Sequence, residues 1–285
     1  MTTDEAPTAG EGAAGQSKRP PFDTSVANQA RIYDYLLGGK DNYEADRAAV
    51  DAVLKIAPEL GFTARENRAF LGRAVRYLAA EAGIRQFLDI GTGIPTAGNT
   101  HQVAQEVAPE ARVVYVDYDP VVLAHARALL KSNKAGATQY IDADLRDTGT
   151  ILDQAGRLLD FTKPVAVTLL MILHVIPDSD DPHALVARLM DALPPGSYLA
   201  LSHLGAELLD QEKAEGFQGV VRRQAQQQYI GRTREEIDRF FDGMDLIEPG
   251  VVRVEEWRPD HEAEAKSALW CAVGRKPQEG SHEVL

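Results

Sequence analysis

The stretch FLDIGTGIPTAGN, residues 87–99, decides the fold. It starts as an apolar strand, passes through Asp89, and places Gly91 and Gly93 where the strand hands over to a helix. Glycine there permits a tight turn and lets a ligand approach the backbone, at the crevice beyond the strand ends where doubly wound sheets bind ligands. Many strand-to-helix turns use such glycines for geometry alone. Their meaning therefore depends on the strands downstream.

The next of these is VVYVD, ending in Asp117 and continuing Tyr118, Asp119, Pro120. A carboxylate at this position can accept from both ribose hydroxyls of a nucleoside held over the first turn. Asp119 has a local explanation, because an acid before a proline at the first helical position is a helix start. A third strand runs into Ile141, Asp142, Ala143, Asp144 and Leu145, which brings a second carboxylate to the same sheet edge. Two such acids on successive strands point to a nucleoside site.

Further strand candidates are PVAVTLL at 164–170, SYLALSH at 197–203, GMDLIEP at 243–249 and SALWCAVGR at 267–275. The first five alternate with helical segments or long loops, which argues for a parallel sheet covered on both faces. Between the last two no crossover helix is evident, and an irregular connection suits an antiparallel pair. The expected fold is α/β: a doubly wound, mostly parallel seven-stranded sheet with an antiparallel final strand and a helical N-terminal extension.

That extension occupies residues 23–84. In VANQARIYDYLL the apolar Val26, Ile32, Tyr33 and Leu36 share one side of a helix that Gly38 and Gly39 can end. A second helix spans about 43–56 and stops at Pro58; a third, 63–80, carries Phe70, Leu71, Ala74, Val75 and Leu78 on one face. Residues 1–22 and 276–285 hold little that could be buried and are expected to be disordered tails. The core is expected over 85–275, with a helical insertion at 205–241 in which Thr233 and Glu236 have capping-box spacing.

The formal net charge of −13 disfavours nucleic acid and leaves a small molecule as the expected partner. The longest apolar run, Val165 to Ile176, falls short of the roughly 18–20 residues of a membrane span, and the first twenty residues do not form a secretory signal. A cytoplasmic protein that does not enter membranes is expected. The single cysteine, Cys271, fits a buried strand position. His101, His125, His183 and His203 show no metal-ligand spacing, so no metal is expected. A dinucleotide site would need G-x-G-x-x-G/A, and here the third position is Thr96 preceded by Pro95.

In this order the features of residues 85–275 resemble class I S-adenosylmethionine-dependent methyltransferases: Asp89 to Gly93, Asp117, Asp144, then Leu173 and His174, then LPPGSYLALSH and a closing hairpin. Pro95 replaces the third glycine usual in that first motif. A closer similarity covers the helical prefix too. ARIYDYLLGGKDNYEADR, VVYVDYDPVVLAHARALL, LHVIPD and RFFDG look like a bacterial S-adenosyl methyltransferase family formerly grouped as a domain of unknown function.

The resemblance implies S-adenosylmethionine as methyl donor, S-adenosylhomocysteine as product, and an acceptor it does not name. It implies that Gly91, Thr92 and Gly93 pass beside the methionine part, with Asp89 helping to hold its ammonium. Asp117 would take the ribose, Tyr118 would lie along the adenine, and Asp144 would accept from the adenine amine between Ala143 and Leu145. Met171 and His174 would lie near the sulfonium. His174 is the candidate general base, with a structural histidine as the alternative. Arg65, Arg68, Arg73 and Arg76 line one face of the third helix, either as a solvated face or, through Arg65, against an anionic acceptor. GGKDN, residues 38–42, is either a connector in which Asp41 or Asn42 caps the next helix, or part of a lid that turns Tyr33, Lys40 and Asn42 toward the site. A silent donor-binding sensor is the alternative to an enzyme, since fold does not fix function.

Overall fold

The computed structural model describes residues 23–129, 134–225 and 228–278. The expected tail 1–22 and residues 279–285 of the expected tail 276–285 lie outside them. At the C-terminal end Lys276 is anchored: its Nζ donates to the carbonyls of Met190 at 2.9 Å and Leu193 at 2.7 Å. The expected loose tail therefore does not begin at 276, because this lysine caps the carbonyl end of a helix.

Five parallel strands form the centre: β1 (Gln86–Ile90), β2 (Arg112–Asp117), β3 (Ala137–Asp142), β4 (Ala166–Leu170) and β5 (Tyr198–Leu204). Their order across the sheet is β3-β2-β1-β4-β5. The direction of winding thus reverses between β1 and β4, and it is beyond the strand ends at such a reversal that a ligand crevice opens. Successive residues point to opposite faces. Phe87, Val113, Tyr115 and Ala200 enter one core with α3 (Glu59–Ala80) and α4 (Thr100–Val107). Leu88, Val114, Val167 and Leu199 enter the other with α6 (Thr148–Ala155) and α7 (Pro182–Asp191). Burial on both faces is why these strands are continuous apolar runs.

The closing pair is antiparallel as expected, with one difference. The strand β8 (Leu269–Arg275) pairs along its length with β5, and Cys271 is buried within it. Its other edge is met by two short strands, β6 (Asp245–Leu246) and β7 (Val252–Arg253), so the described sheet has eight strands and not seven. Pro249 brings no N–H and Gly250 takes φ +82°, which breaks the strand expected over 243–249. The segment after it, expected to be irregular, resumes the ladder at β7 and buries Trp257 edge-on against Phe70, ring centroids 5.4 Å apart.

Ahead of the sheet lie α1 (Gln29–Leu36), α2 (Glu44–Ile56) and α3, the last starting at Glu59 behind Pro58 and not at 63. Proline suits the start of a helix because the N–H it lacks would have no partner there. Helix α2 packs on α8 (Gln211–Gln224), so extension and insertion together cover the strand ends. The insertion also holds α9 (Arg234–Asp238), whose capping box forms: Thr233 Oγ1 accepts from Glu236 N at 3.2 Å, and Glu236 Oε2 from Thr233 N at 2.8 Å. No helix among the described residues is long and apolar enough to cross a membrane.

Candidate active site

Two adjoining cavities open at the strand ends and share Gly91, Asp117, Tyr118 and Ile172. The first, about 340 Å³, lies beyond β2 and β3. The second, about 150 Å³, lies under the helical cap.

The glycine turn shapes the junction. Gly91 has φ +77°, and an added Cβ would stand 2.6 Å from Ile172 Cγ1, so only glycine fits. Gly93 has φ +66° with nothing within 4 Å of an added Cβ, which leaves bare backbone facing open space. Without the third glycine the loop runs on to Asn99, where α4 begins. Asn99 Oδ1 holds that loop by accepting from Thr96 N at 3.1 Å and from Arg68 Nη2 at 3.0 Å.

Asp117 lies where the two cavities meet. Its Oδ2 accepts from Gly93 N at 2.9 Å and its Oδ1 from Tyr118 N and Asp119 N. Burial raises its pKa to about 6 against those bonds. Asp119 starts α5 (Pro120–Leu129) by accepting from Val121 N at 2.7 Å, the capping role expected for it. Asp144, Ala143 and Leu145 line the larger cavity with Tyr118. Asp144 is held at both oxygens by Arg146, at 2.9 and 2.6 Å, and although burial pushes its pKa up, these bonds leave it below the ordinary value. Tyr118 is 45% exposed, with its ring on the cavity wall.

Asp89 lines the smaller cavity but is already engaged: Thr100 Oγ1 donates to it at 2.6 Å and Thr168 Oγ1 at 2.8 Å. These bonds tie β1 to α4 and β4, and burial holds its pKa above the usual carboxylate value. Met171, at φ +53°, ends β4 in a conformation that L-residues seldom adopt. Such backbone gathers at functional sites, and here its carbonyl accepts from Gln29 Nε2 at 3.0 Å.

His174 lies on the wall of the smaller cavity and is 1% exposed. Burial, then the neighbouring His203 and Arg232, drive its pKa well below the histidine range. Gln29 Nε2 stands 3.2 Å from its Nε2, and an amide nitrogen can only donate. The imidazole lone pair is thus on Nε2 and in use. That arrangement fits a neutral, positioned histidine better than a free base.

Of the residues expected to face the acceptor, only Tyr33 lines the cavity. Its hydroxyl is engaged, donating to Ala64 O at 3.1 Å and accepting from Asn67 Nδ2 at 2.9 Å, so it presents its ring. Lys40 and Arg65 are exposed and outside the lining. Asn42 is also outside; with the Asp41 N–H it binds the Asp34 carboxylate, each at 2.9 Å, in an ordered turn. Neither Asp41 nor Asn42 caps α2: its N-cap is Tyr43, whose N–H donates to Asp46 in the first turn at 2.8 Å.

The arginine face of α3 divides. Arg73 is buried against Trp257 O and Val254 O, Arg65 and Arg76 are exposed, and Arg68 turns its guanidinium into the cavity wall. Arg68 Nε is buried and has no partner among the described residues. Gln29, Arg68, Arg146 and Tyr229 are the site residues that pattern reading passes over. Only Arg68 carried a signal there, as one of four arginines with nothing to separate them. No three His, Cys, Asp or Glu side chains among the described residues could hold a metal.

This arrangement fits a nucleoside-bearing amino acid: bare backbone at Gly93, a strand-end carboxylate at Asp117, and an orphan guanidinium N–H at Arg68 beside them. Comparison with known proteins gives the family. The family described as S-adenosyl methyltransferase matches residues 15–277. A crystal structure of a DUF574 family protein from Streptomyces avermitilis is 47% identical with a TM-score of 0.84, over 90% of this chain and 99% of that one. One of a candidate methyltransferase from Thermobifida fusca is 44% identical, TM-score 0.81, over 89% and 96%. An O-methyltransferase family protein from Burkholderia thailandensis, 13% identical with a TM-score of 0.52 over 78% and 60%, shares the fold alone. No curated protein matches. The chain belongs to the S-adenosyl methyltransferase family and is an S-adenosylmethionine-dependent methyltransferase.

Proposed function

We propose that this enzyme methylates a small, largely apolar molecule held in the smaller cavity, with the donor spanning both cavities across Gly91 to Gly93. The observation that carries this reading is the position of the apolar face of α1. Ile32, Tyr33 and Leu36 turn toward the cavity, whereas the buried residues of α1 are Arg31 and Asp34. Arg31 is matched by Asp46 at 2.8 Å, and Asp34 by the GGKDN turn. A helix that buries its charges in paired contacts and sets its half-buried apolar stripe on the cavity wall leaves part of that stripe for a ligand.

In this reading Asp117 takes the ribose hydroxyls, and Ala143, Asp144, Leu145 and Tyr118 hold the adenine. Arg68 takes the methionine carboxylate, and Asp89 and Thr92 lie along the methionine chain. S-adenosylmethionine bound there would supply a sulfonium methyl for transfer to the acceptor, leaving S-adenosylhomocysteine. The protein's contribution is positioning and exclusion of water by α1, α2 and α8. Extension and insertion then act as one lid.

The test is transfer of labelled methyl from the donor in a size-fractionated cell extract. Label is expected in molecules below about 1 kDa that partition into organic solvent, given the apolar walls of ligand pockets. Label confined to protein or RNA would overturn the reading.

A further inference from the structure

Two polar groups on residues that line the smaller cavity have no hydrogen-bond partner among the described residues. Tyr229, from the segment after α8, is 6% exposed, and its hydroxyl has no hydrogen-bond partner. Its ring meets that of His174 edge to face, centroids 4.6 Å apart. The His174 Nδ1 has no partner either. Buried polar atoms without partners are uncommon, and two on touching residues that both line the cavity mark where a ligand can complete the bonding.

Their hydrogen-bonding character follows from the neighbours. The Gln29 amide nitrogen has one hydrogen on Met171 O, 3.0 Å away, and gives the other to His174 Nε2. Carbonyl oxygens cannot donate, so Met171 fixes which end of the amide points inward. Nε2 is then the acceptor and Nδ1 carries the proton. Burial keeps the ring from taking a second one. The wall therefore presents an N–H and a phenolic O–H, two neutral donors.

Beside Tyr229 the lining is apolar: the Phe217 ring lies 5.7 Å from that of Tyr229, centroid to centroid, and Val220 and Val221 follow on the same helix. The charged residues of the cavity, Arg68, Asp89, Asp117 and Asp119, come from α3, from the ends of β1 and β2 and from the turn after β2, on the donor side. A charged acceptor would enter beside Tyr229 without a counterion, at a heavy desolvation cost. A neutral oxygen with two lone pairs suits the two donors. We propose that His174 and Tyr229 bind a carbonyl oxygen on a neutral, otherwise apolar methyl acceptor, with Gln29 fixing the His174 tautomer. The inference rests on the smaller cavity being the acceptor site.

Two measurements test it. Nitrogen-15 NMR of the imidazole rings reads the tautomer directly. His174 is expected to carry its proton on Nδ1 and to lose that preference in Gln29→Leu; a proton on Nε2 in the wild type overturns the proposal. The second uses 1-indanone and indane, which differ by one carbonyl oxygen, as probes of the protein saturated with S-adenosylhomocysteine. Indanone is expected to bind about tenfold more tightly, the discrimination of one good hydrogen bond. In Tyr229→Phe that preference should shrink by about threefold or more while indane affinity holds, since the change removes one of two donors. Loss of an unpartnered hydroxyl should leave the Tm unchanged or raised, so the variant remains foldable. Equal binding of both probes, or a preference untouched by Tyr229→Phe, overturns the carbonyl assignment and leaves the apolar acceptor cavity standing. Binding of neither probe, with S-adenosylhomocysteine still bound, overturns the cavity reading itself.

Discussion

Arg232 Nη1 lies 2.7 Å from His203 Nε2, and because a guanidinium only donates, the imidazole accepts. His203 in turn donates from Nδ1 to Leu204 O at 2.8 Å. Both nitrogens are in use, the ring is buried, and burial lowers its pKa to about 3. The same arginine binds Leu173 O, Ile176 O and Asp178 Oδ1, so it fixes the loop that carries His174.

The first prediction rests on that neutral ring. An unfolded chain protonates His203 near pH 6.5, whereas the folded protein does so only near 3. Between those values the unfolded state holds more protons, so stability falls with falling pH, by up to about 1.4 kcal/mol per unit. Asp117 acts oppositely: with a folded pKa of about 6, the native state holds its proton where the unfolded state does not. Comparing wild type with His203→Gln cancels the Asp117 contribution. Urea unfolding between pH 6.5 and 5 should show the shallower loss in the variant; equal slopes would mean that His203 is not held neutral.

Asp117 should make donor binding depend on pH. Its carboxylate accepts hydrogen bonds from ribose hydroxyls best when ionised, and burial puts its titration near 6. Affinity for S-adenosylhomocysteine is expected to fall as the pH drops from 7.5 to 5. In Asp117→Ala it should be about 2 kcal/mol weaker at pH 7.5, the usual cost of losing bonds to a charged group, and flat with pH. Calorimetry across that range decides it, and unchanged affinity in the folded variant would move the ribose partner elsewhere.

Arg68 is expected to discriminate between ligands that carry the amino-acid part and those that lack it. Nη2 is held by Ala97 O and Asn99 Oδ1, which fixes the guanidinium in orientation, and Nε, buried without a partner among the described residues, is the donor expected to meet a carboxylate. Arg68→Met should weaken S-adenosylhomocysteine by about 1.5–3 kcal/mol. Methylthioadenosine, which has no carboxylate, should bind the variant as it binds wild type. Equal losses for both ligands would assign Arg68 to loop structure alone.

The lid can be probed at Gly39. An added Cβ would stand 2.0 Å from Asp34 Oδ1, so Gly39→Ala must displace the carboxylate that organises residues 39–42. A loss of about 1–3 kcal/mol is expected for such overpacking. Deleting residues 1–22 should leave donor binding intact, while deleting 1–42 should weaken it or abolish transfer with the sheet still folded. If the longer deletion kept full affinity and activity, α1 would be a connector and not a lid.

The sequence by itself determined what short-range physics controls. Short continuous apolar runs, the turn at Gly91 to Gly93, the acids at Asp117 and Asp144, and the capping box at Thr233 each depend on residues a few positions apart. That was enough for sheet, crevice and donor. Tertiary structure decided which side chains face the crevice. Arg65 and Arg68 are one helical turn apart and alike in sequence, yet only Arg68 meets the loop around Asn99, 31 residues on. The apolar side of α1 fitted a core face equally well until Arg31 found Asp46. The proton on His174 is set by Gln29, 145 residues away. Hydrogen-bond partners this distant are chosen by how packed elements meet, and no local pattern encodes that meeting.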